Sequence, residues 1–352
     1  MRNGWTIKQN ADTHTWRDAE GRLHLIERMF LRHCMNILRD MDKQGGIEHH
    51  SREWRMKQPT FLEQPKRRRT RLMLYVPTKG RVEHQLTLQT LPKHWLARTI
   101  VVCPAEEVEA HKRNWPGVWV LKQGAMVRSI ASARAFIFGH ADAMGYHKIV
   151  MLDDDIRFAA RVKPFFEGIG SMNGSSWDLC VDADPALAKL RNIARGDPAI
   201  DKLLFGLEKM LDTYRHCGMH GRLNSNRQAY EWIANTRIQQ VYAYHVPTVM
   251  KHCEIGVEIM RDDFDYEFQL LKKGFPCVVK TWTVGEQGRG FAAKGGQTSS
   301  RTMEINERDA YRLAKRHPGL VKVVKKPYGN GKRTRVEVIC YWQKALLEGQ
   351  LI

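Results

Sequence analysis

The 352-residue sequence lacks any long hydrophobic run, since no stretch approaches the ~18 apolar residues that a membrane-spanning helix requires. Its opening residues, MRNGWTIKQNADTHTW, contain no apolar core of the kind found in secretory signal peptides. No internal repeat or low-complexity tract is present. These absences argue against a membrane, secreted or fibrous protein, and we expect a soluble, cytoplasmic globular protein without a membrane partner.

Cysteine is used in a way that argues against a disulfide framework. The seven cysteines are odd in number and widely spaced, with no CxxC pair, which is typical of reduced, buried thiols in a cytosolic protein. The segment HCGMH at 216–220, with His252 and Cys253 as partners, offers a zinc site as an alternative reading. Its spacing matches no standard zinc finger, so we do not expect zinc.

The sequence contains fewer acidic than basic residues. The chain has 57 Lys and Arg residues against 38 Asp and Glu residues, a formal net charge of +19, and the excess is concentrated at residues 1–71 and 301–352. Such a field attracts polyanions, nucleic acid first and anionic membrane second. A basic protein without a polymer partner is the remaining alternative.

From residue 72 onward, apolar strands alternate with helices. Continuous apolar strands of this kind predict a mostly parallel sheet covered by helices on both faces, which is the Rossmann-type α/β class. The predicted strands are 72–76, 99–103, 118–121, 148–152 and 277–284, and the predicted helices are 126–144, 203–212, 227–240 and 261–276. Ligands of such sheets bind beyond the carboxyl ends of the strands.

Two extensions flank this core. Residues 22–41 have apolar residues at helical spacing, which predicts an amphipathic helix within a basic N-terminal extension of residues 1–70. Near the C-terminus, two alternating segments flank PYGNGKR, where Asn330-Gly331 predicts the turn of a β-hairpin. We therefore expect one main domain at 71–345, with two halves at about 71–160 and about 161–345.

Three consecutive aspartates directly follow the predicted strand KIVML, in the segment KIVMLDDDIRF. In an extended chain, Asp153 and Asp155 point to one side and Asp154 to the other. Carboxylates at a strand end can bind Mg²⁺ or Mn²⁺, which takes its remaining ligands from phosphate and water. We expect Asp155 on the metal, Asp153 on a nucleotide ribose or a metal-bound water, and Asp154 in support. The alternative is a solvated acidic turn.

The order of these motifs resembles nucleotide-sugar-dependent glycosyltransferases of the GT-A type, and most closely the phage TET-associated glycosyltransferases. The resemblance runs from about residue 72 to 341 and depends on PTKGR, the helix with IASARAF, MLDDDIRF and RDDFDYEFQLLKKG. It implies a metal-dependent enzyme that transfers a sugar, from a uridine diphosphate donor by default, to hydroxymethylated pyrimidine in DNA. Such an enzyme would act in the cytoplasm of the phage-infected host.

The resemblance also implies roles for single residues. The donor-binding residues would be Pro77, Thr78 and Arg81 at the first strand end, Arg134, the aspartates Asp153 and Asp154, and Gln297 and Arg301 in a glycine-rich segment. GT-A enzymes often have Arg-Asn where this chain has Arg134-Ala135, a departure that weakens the wider analogy. Alternatively, Arg134 is a surface arginine and 285–301 an exposed linker.

In inverting members of the fold, an acidic pair supplies the catalytic base, and the matching residues here are Asp262 and Asp263. An acceptor hydroxyl must lose its proton as it attacks the anomeric carbon, and we favour Asp263 for this role. The alternative is a helix N-terminus whose acidic residues are stabilised by the helix dipole.

A DNA acceptor would account for the excess positive charge, because lysine and arginine contacts to phosphates release counterions. The predicted DNA-binding residues are Arg67, Arg68 and Arg69 of the N-terminal arm and Lys325, Lys326, Lys332, Arg333 and Arg335 of the hairpin. Flipping of the target base out of the stack would ease its entry into the crevice.

Three other functions compete with this interpretation. One is a glycosyltransferase that acts on an acceptor other than DNA. Another is a basic nucleic-acid-binding protein in which the aspartates are structural. The third is a haloacid-dehalogenase-like phosphatase, since GDPAID at 196–201 mimics one of its acidic motifs; the residues before that segment do not form the required apolar strand.

Overall fold

The structure, a computed structural model, describes residues 8–10, 13–17, 23–25, 72–125, 127–162, 166–170, 189–225, 228–286, 302–328 and 333–351. In the N-terminal region, β1 (Lys8–Asn10), β2 (Thr13–Arg17) and β3 (Leu23–Leu25) form an antiparallel sheet. The predicted helix at 22–41 is thus wrong at its start, where the strand pairing of β2 with β3 prevails over the helical spacing. Its remainder lies outside the described residues.

An eleven-stranded sheet dominates the fold. Its strands are β4 (Met73–Pro77), β5 (Thr99–Cys103), β6 (Trp119–Lys122), β7 (Lys148–Leu152), β8 (Arg157–Arg161), β9 (Phe166–Gly170), β10 (Leu190–Asn192), β11 (His216–Gly221), β12 (Tyr230–Ala234), β13 (Val241–His245) and β14 (Cys277–Glu286). Seven of them follow the order β6-β5-β4-β7-β13-β11-β14. Six of these seven run in the same direction, because among them β13 alone is antiparallel to both of its neighbours.

Helices cover both faces of the sheet because successive side chains of each buried strand point to opposite faces. On β4, Leu74 and Val76 pack with one hydrophobic cluster and Tyr75 packs with another. The helices are α1 (Leu86–Thr90), α2 (Lys93–Leu96), α3 (Val108–Asn114), α4 (Ile130–Ala143), α5 (Pro198–Met210), α6 (Arg222–Ser225), α7 (Val246–His252), α8 (Asp262–Leu271), α9 (Met303–Arg316) and α10 (Trp342–Gln350). The first cluster includes side chains of α1, α2 and α5, and the second includes side chains of α4, α7 and α8.

The C-terminal part forms a separate layer against α8. The antiparallel hairpin of β15 (Val321–Tyr328) and β16 (Arg333–Cys340) packs with α9 and α10 around a third hydrophobic cluster. Phe264 and Phe268 of α8 belong to that cluster, and Phe268 stacks on Trp342 with ring centroids 4.2 Å apart. The helix that begins with the acidic pair is therefore held between the sheet and the hairpin layer.

These observations confirm the predicted mixed α/β class with a large, mostly parallel sheet. The predicted strands at 99–103 and 148–152 coincide with β5 and β7. The predicted helix at 227–240 is wrong, because β12 forms there by pairing with β14. No helix in the described part of the chain combines the length and apolarity needed to cross a bilayer.

Candidate active site

The aspartate run lies where β7 ends, at the edge where most strands of the sheet have their carboxyl ends. The backbone N–H of Asp153 donates to the carbonyl of Gln240, 2.9 Å away on the segment before β13. The hydroxyl of Thr87 donates to the carbonyl of Asp153 at 2.5 Å and accepts from the N–H of Ile156 at 3.1 Å. Both ends of the acidic turn are thus fixed by neighbouring elements.

Asp154 is buried and points toward the end of β4. It accepts a hydrogen bond of 2.6 Å from the hydroxyl of Thr78 and forms an ion pair with Arg81. The same Nη1 of Arg81 lies 2.9 Å from Asp155 Oδ2. Burial raises the pKa of Asp154, although Arg81 and Thr78 oppose the shift. Thr78 and Arg81, which were predicted to line a nucleotide pocket, hold the aspartate turn in this structure, and Pro77 ends the buried strand before them.

Arg134 joins the aspartate run to the start of α8. It is 5% exposed, and its Nη1 lies 2.7 Å from Asp262 Oδ1 while its Nη2 lies 3.5 Å from Asp153 Oδ1. The guanidinium also stacks over the ring of Tyr242 at 4.6 Å. Helix α4 positions this arginine through a capping box between Ser129 and Ser132 and through its buried apolar face. The alternative of a surface arginine is therefore wrong.

The two acidic residues of α8 differ in exposure. Asp262 is 2% exposed, and its Oδ1 is engaged by Arg134. Asp263 is half-buried, and its Oδ2 accepts a hydrogen bond of 3.2 Å from the hydroxyl of Tyr242. Asp263 is thus the member of the pair with a side chain that a substrate can reach, while Asp262 is enclosed.

Negative charge exceeds positive charge at this edge. Four carboxyl groups share two guanidinium groups, and a fifth, that of Asp263, accepts from a tyrosine hydroxyl. Burial raises the pKa of Asp153 to about 7, against the opposing effect of Arg134, and the neighbouring aspartates raise it further. Burial likewise raises the pKa of Asp262 to about 6, again opposed by Arg134. A site with this excess of buried carboxylates favours the binding of a cation or a proton.

Asp153 and Asp155 fit an open metal site with few protein ligands, and they do not fit a closed site made of protein ligands alone. The side chains of Asp153 and Asp155 are 22% and 20% exposed, and two such carboxylates suit a divalent cation that takes its other ligands from a diphosphate and water. Across the described ranges, no group of three His, Cys, Asp or Glu side chains is arranged to hold a metal. A closed, all-protein metal site is therefore absent from this part of the chain.

The predicted DNA-binding residues are only partly described. On the hairpin, Lys326 and Arg335 are exposed and directly opposite each other in the register, so they share one face. Lys325 is on the other face, 3.7 Å from Glu307 of α9. Arg333 begins β16. Four predicted DNA-binding residues lie outside the described residues, namely Arg67, Arg68, Arg69 and Lys332. The same holds for the predicted donor-binding residues of the glycine-rich segment, Gln297 and Arg301.

Segments with competing interpretations have structural roles here. Asp197 of the phosphatase-like segment caps α5, accepting from the N–H of Ala199 at 2.9 Å. Asp201 accepts from the indole of Trp95 at 2.7 Å. His216 is fully buried in β11, and burial lowers its pKa to about 3. The contacts of Asp197 and Asp201 give the phosphatase-like segment a structural role.

The sequence analysis did not identify Tyr242, Thr87 or Gln240 as site residues. Tyr242 enters the site because β13 is antiparallel to β7, so the start of β13 meets the end of β7. Gln240 has a φ of 66°, in the left-handed region that residues with a β-carbon adopt at an energetic cost. Such strain often marks functional sites, but a single sequence carries no signal for it.

Comparison with known proteins confirms the family resemblance. Residues 72–173, from β4 to just beyond β9, match the family model TAGT, TET-Associated Glycosyltransferase. The matched region contains PTKGR, Arg134 and the aspartate run, and it is this part of the chain that is similar to the TET-associated glycosyltransferases. No curated protein matches this chain.

Among solved structures, the chain matches the crystal structure of mannose-1-phosphate geranyltransferase from Thermus thermophilus. The similarity has a TM-score of 0.30 and 11% identity, and it covers 80% of this chain and 97% of that chain.

Proposed function

We propose that this chain, whose residues 72–173 match the TET-associated glycosyltransferases, transfers a sugar from a nucleotide-sugar to the hydroxymethyl group of a modified pyrimidine in DNA. One observation carries the proposal. The carboxylates at the end of β7 and those at the start of α8 lie at one edge of the sheet, joined by Arg134 and Tyr242. This arrangement supports donor binding and proton removal side by side.

On the donor side, Asp155 and Asp153 would hold Mn²⁺ or Mg²⁺, which when bound neutralises the diphosphate of the leaving nucleotide. A uridine diphosphate sugar remains the preferred donor class. Arg81 and Arg134 keep the carboxylates oriented, since each arginine contacts two of them. Neither arginine can be replaced by a neutral residue without leaving buried negative charge unpaired.

On the acceptor side, Asp263 is the proposed general base. Its half-buried carboxylate can reach a hydroxyl group, and the hydrogen bond from Tyr242 fixes the position of one oxygen. The other oxygen then accepts the proton of the hydroxymethyl group while the hydroxyl oxygen forms a bond to the anomeric carbon. The bond from that carbon to the diphosphate oxygen breaks at the same time, and the nucleotide leaves with the electron pair. Asp262 would act as a positioning residue, because its Oδ1 is committed to Arg134.

The DNA acceptor is supported by charge. The formal net charge is +19, and the exposed Lys326 and Arg335 oppose each other on one face of the hairpin. Like charges in directly opposite positions destabilise a strand pair, and a phosphate backbone would relieve the repulsion. Arg335 also forms an ion pair of 3.0 Å with Glu337.

The test is to incubate the protein with Mn²⁺, hydroxymethylated DNA and a panel of sugar nucleotides, followed by mass spectrometry of the nucleosides. We expect a mass gain of one sugar on the hydroxymethylpyrimidine. Asp263→Asn should abolish it, whereas Asp212→Asn, an exposed acid-to-amide change on the ion pair with Lys148, should not. Turnover on a small acceptor with no mass gain on DNA would replace the DNA acceptor, and turnover by Asp263→Asn at the wild-type rate would exclude Asp263 as the base.

A further inference from the structure

Two arginines lie beside the proposed base without a carboxylate partner. Arg237, in the segment between β12 and β13, stacks over the ring of Phe264 at 4.4 Å. Arg261 directly precedes Asp262 and donates to Asn306 Oδ1 at 2.8 Å and to the Asn306 carbonyl at 3.2 Å. Within the described parts of the chain, neither guanidinium forms an ion pair, and Arg237 makes no hydrogen bond.

Their environment makes this arrangement costly in the absence of a ligand. Both arginines are half-buried, and Nε of Arg237 is enclosed with no hydrogen-bond partner among the described residues. Burial lowers the pKa of Arg261, and the charge of Arg237 lowers it further while Glu337 and Asp263 oppose the shift. Two neighbouring, partly desolvated cations that form no direct ion pair with the described residues provide a preorganised site for an anion.

The location of the pair indicates which anion it binds. Arg261 contacts Asn306 of α9, so it faces the hairpin layer. Arg237 stacks on Phe264, which belongs to the third hydrophobic cluster of the same layer. On the sheet side of α8, Arg134 joins Asp262 to Asp153, and Tyr242 donates to Asp263. An anion bound at the Arg237–Arg261 pair would therefore lie near the base but away from the donor carboxylates.

We infer that Arg237 and Arg261 bind a phosphodiester group of the acceptor DNA next to the target nucleotide, an inference that rests on the proposed function. Guanidinium groups pair with phosphate oxygens in two-pronged geometry, and the planar face of Arg237 is already oriented by Phe264. The contact fixes the target nucleotide relative to Asp263. It carries no sequence information, because backbone contacts determine register and orientation only.

The experiment measures binding of a fluorescein-labelled duplex with hydroxymethylated pyrimidine, by anisotropy over a range of salt concentrations and without donor. Arg237→Gln should weaken binding about tenfold and lower the slope of log K against log salt by about 1. Arg237→Lys should retain most of the slope because it retains the charge. Arg215→Gln, which alters a half-buried arginine just before β11, is the matched control and should change neither quantity.

Stability and kinetics separate this role from other roles. Arg237→Gln should melt no lower than the wild type, because it removes an unpaired, partly buried charge. Its KM for DNA should rise while its KM for the sugar nucleotide and its turnover of a free hydroxymethyl nucleoside stay unchanged. A raised KM for the sugar nucleotide with an unchanged DNA salt slope would assign the pair to the donor diphosphate, and no change in either would overturn the site.

The proposed function can fail separately from this inference. If the wild-type protein transfers no sugar to DNA, the proposed reaction is wrong, but the salt slopes of the Arg237 variants still decide whether a phosphate binds there. If transfer occurs and the slopes of the wild type and Arg237→Gln coincide, the reaction stands and the phosphate site does not.

Discussion

Replacing Arg134 by methionine tests whether one buried cation holds both sets of carboxylates together. In the wild type its guanidinium lies 2.7 Å from Asp262 and 3.5 Å from Asp153, and its side chain is 7% exposed. Methionine fills much of the same volume but carries no charge. The substitution therefore leaves both carboxyl groups in a desolvated site with their shared counter-ion removed.

The size of the effect follows from the environment of Asp262. Removing one partner of a buried ion pair costs about 3–5 kcal/mol when the remaining charge stays buried. Asp262 avoids part of this cost, because its pKa of about 6 allows protonation at pH 7 for on the order of 1 kcal/mol. We therefore expect Arg134→Met to lower the free energy of unfolding by about 3 kcal/mol at pH 7, near the lower end of that range.

The assay is urea denaturation at pH 7 and at pH 5, without metal. A carboxyl group whose pKa is higher in the folded state than in the unfolded state takes up protons on folding, so the folded state gains stability as the pH falls from that pKa toward about 4. Without Arg134 the pKa values of Asp262 and Asp153 rise further, and this gain is larger. The deficit of Arg134→Met relative to the wild type should therefore shrink at pH 5.

A double-mutant cycle decides whether the ion pair is the cause. Asp262→Asn removes the other charge of the ion pair. In the Asp262→Asn background, Arg134→Met should lower the free energy of unfolding by at least about 1 kcal/mol less than it does in the wild type, as expected for residues in direct contact. The reasoning is refuted if the two substitutions are additive, or if Arg134→Met is as stable as the wild type at pH 7.

Three further predictions concern the same edge of the sheet. Tyr242→Phe should lower kcat about tenfold or more, because it removes the hydrogen bond that positions the base, and it should leave the KM for the sugar nucleotide unchanged. The control, Tyr75→Phe, also removes a buried hydroxyl and should retain kcat. Equal losses of kcat in both variants would contradict the role of Tyr242. Asp155→Asn should abolish Mn²⁺ binding in calorimetric titration while the protein stays folded, and retained affinity would exclude Asp155 as a ligand. Gly218→Ala should lower stability by about 1–3 kcal/mol in thermal unfolding, because the added β-carbon would overlap the carbonyl of the residue that begins β13. The control is Gly139→Ala at an exposed helix position, which should be neutral or stabilising. Equal melting temperatures for the two variants would contradict this packing.

The donor edge of the site could be predicted from the sequence because its information is local. A continuous apolar strand, a turn and an acidic run occur in KIVMLDDDIRF, and the strand bounds follow from the apolar residues alone. Arg134 was identifiable because it lies four residues after Ile130 on the buried stripe of one helix. In each case a periodic pattern within one element places the side chain.

The acceptor edge depended on pairing between distant elements, and there the prediction failed or was incomplete. Residues 227–240 contain a strand, β12, that forms by pairing with the distant strands β14 and β9. Tyr242 reaches Asp263 because β13 runs antiparallel to both β7 and β11, a reversal that local spacing does not encode. Thr78 and Arg81 were placed at the correct strand end, but their partner Asp154 is 76 and 73 residues away along the chain.

The distribution of charge around Asp263 gives the two substrates complementary roles in the proposed reaction. On one side, four carboxyl groups share only two arginines, so a cation that carries the donor lowers the free energy of the site. On the other side, Arg237 and Arg261 form no ion pair with a carboxylate among the described residues, so a phosphate group of the acceptor bound to these arginines would lower the free energy of the site in the same way. Each substrate neutralises a charge excess that the fold leaves uncompensated, and Asp263 lies at the boundary between them. A proton acceptor at that boundary reaches its working environment only when both ligands are bound, which would limit loss of the donor sugar to water.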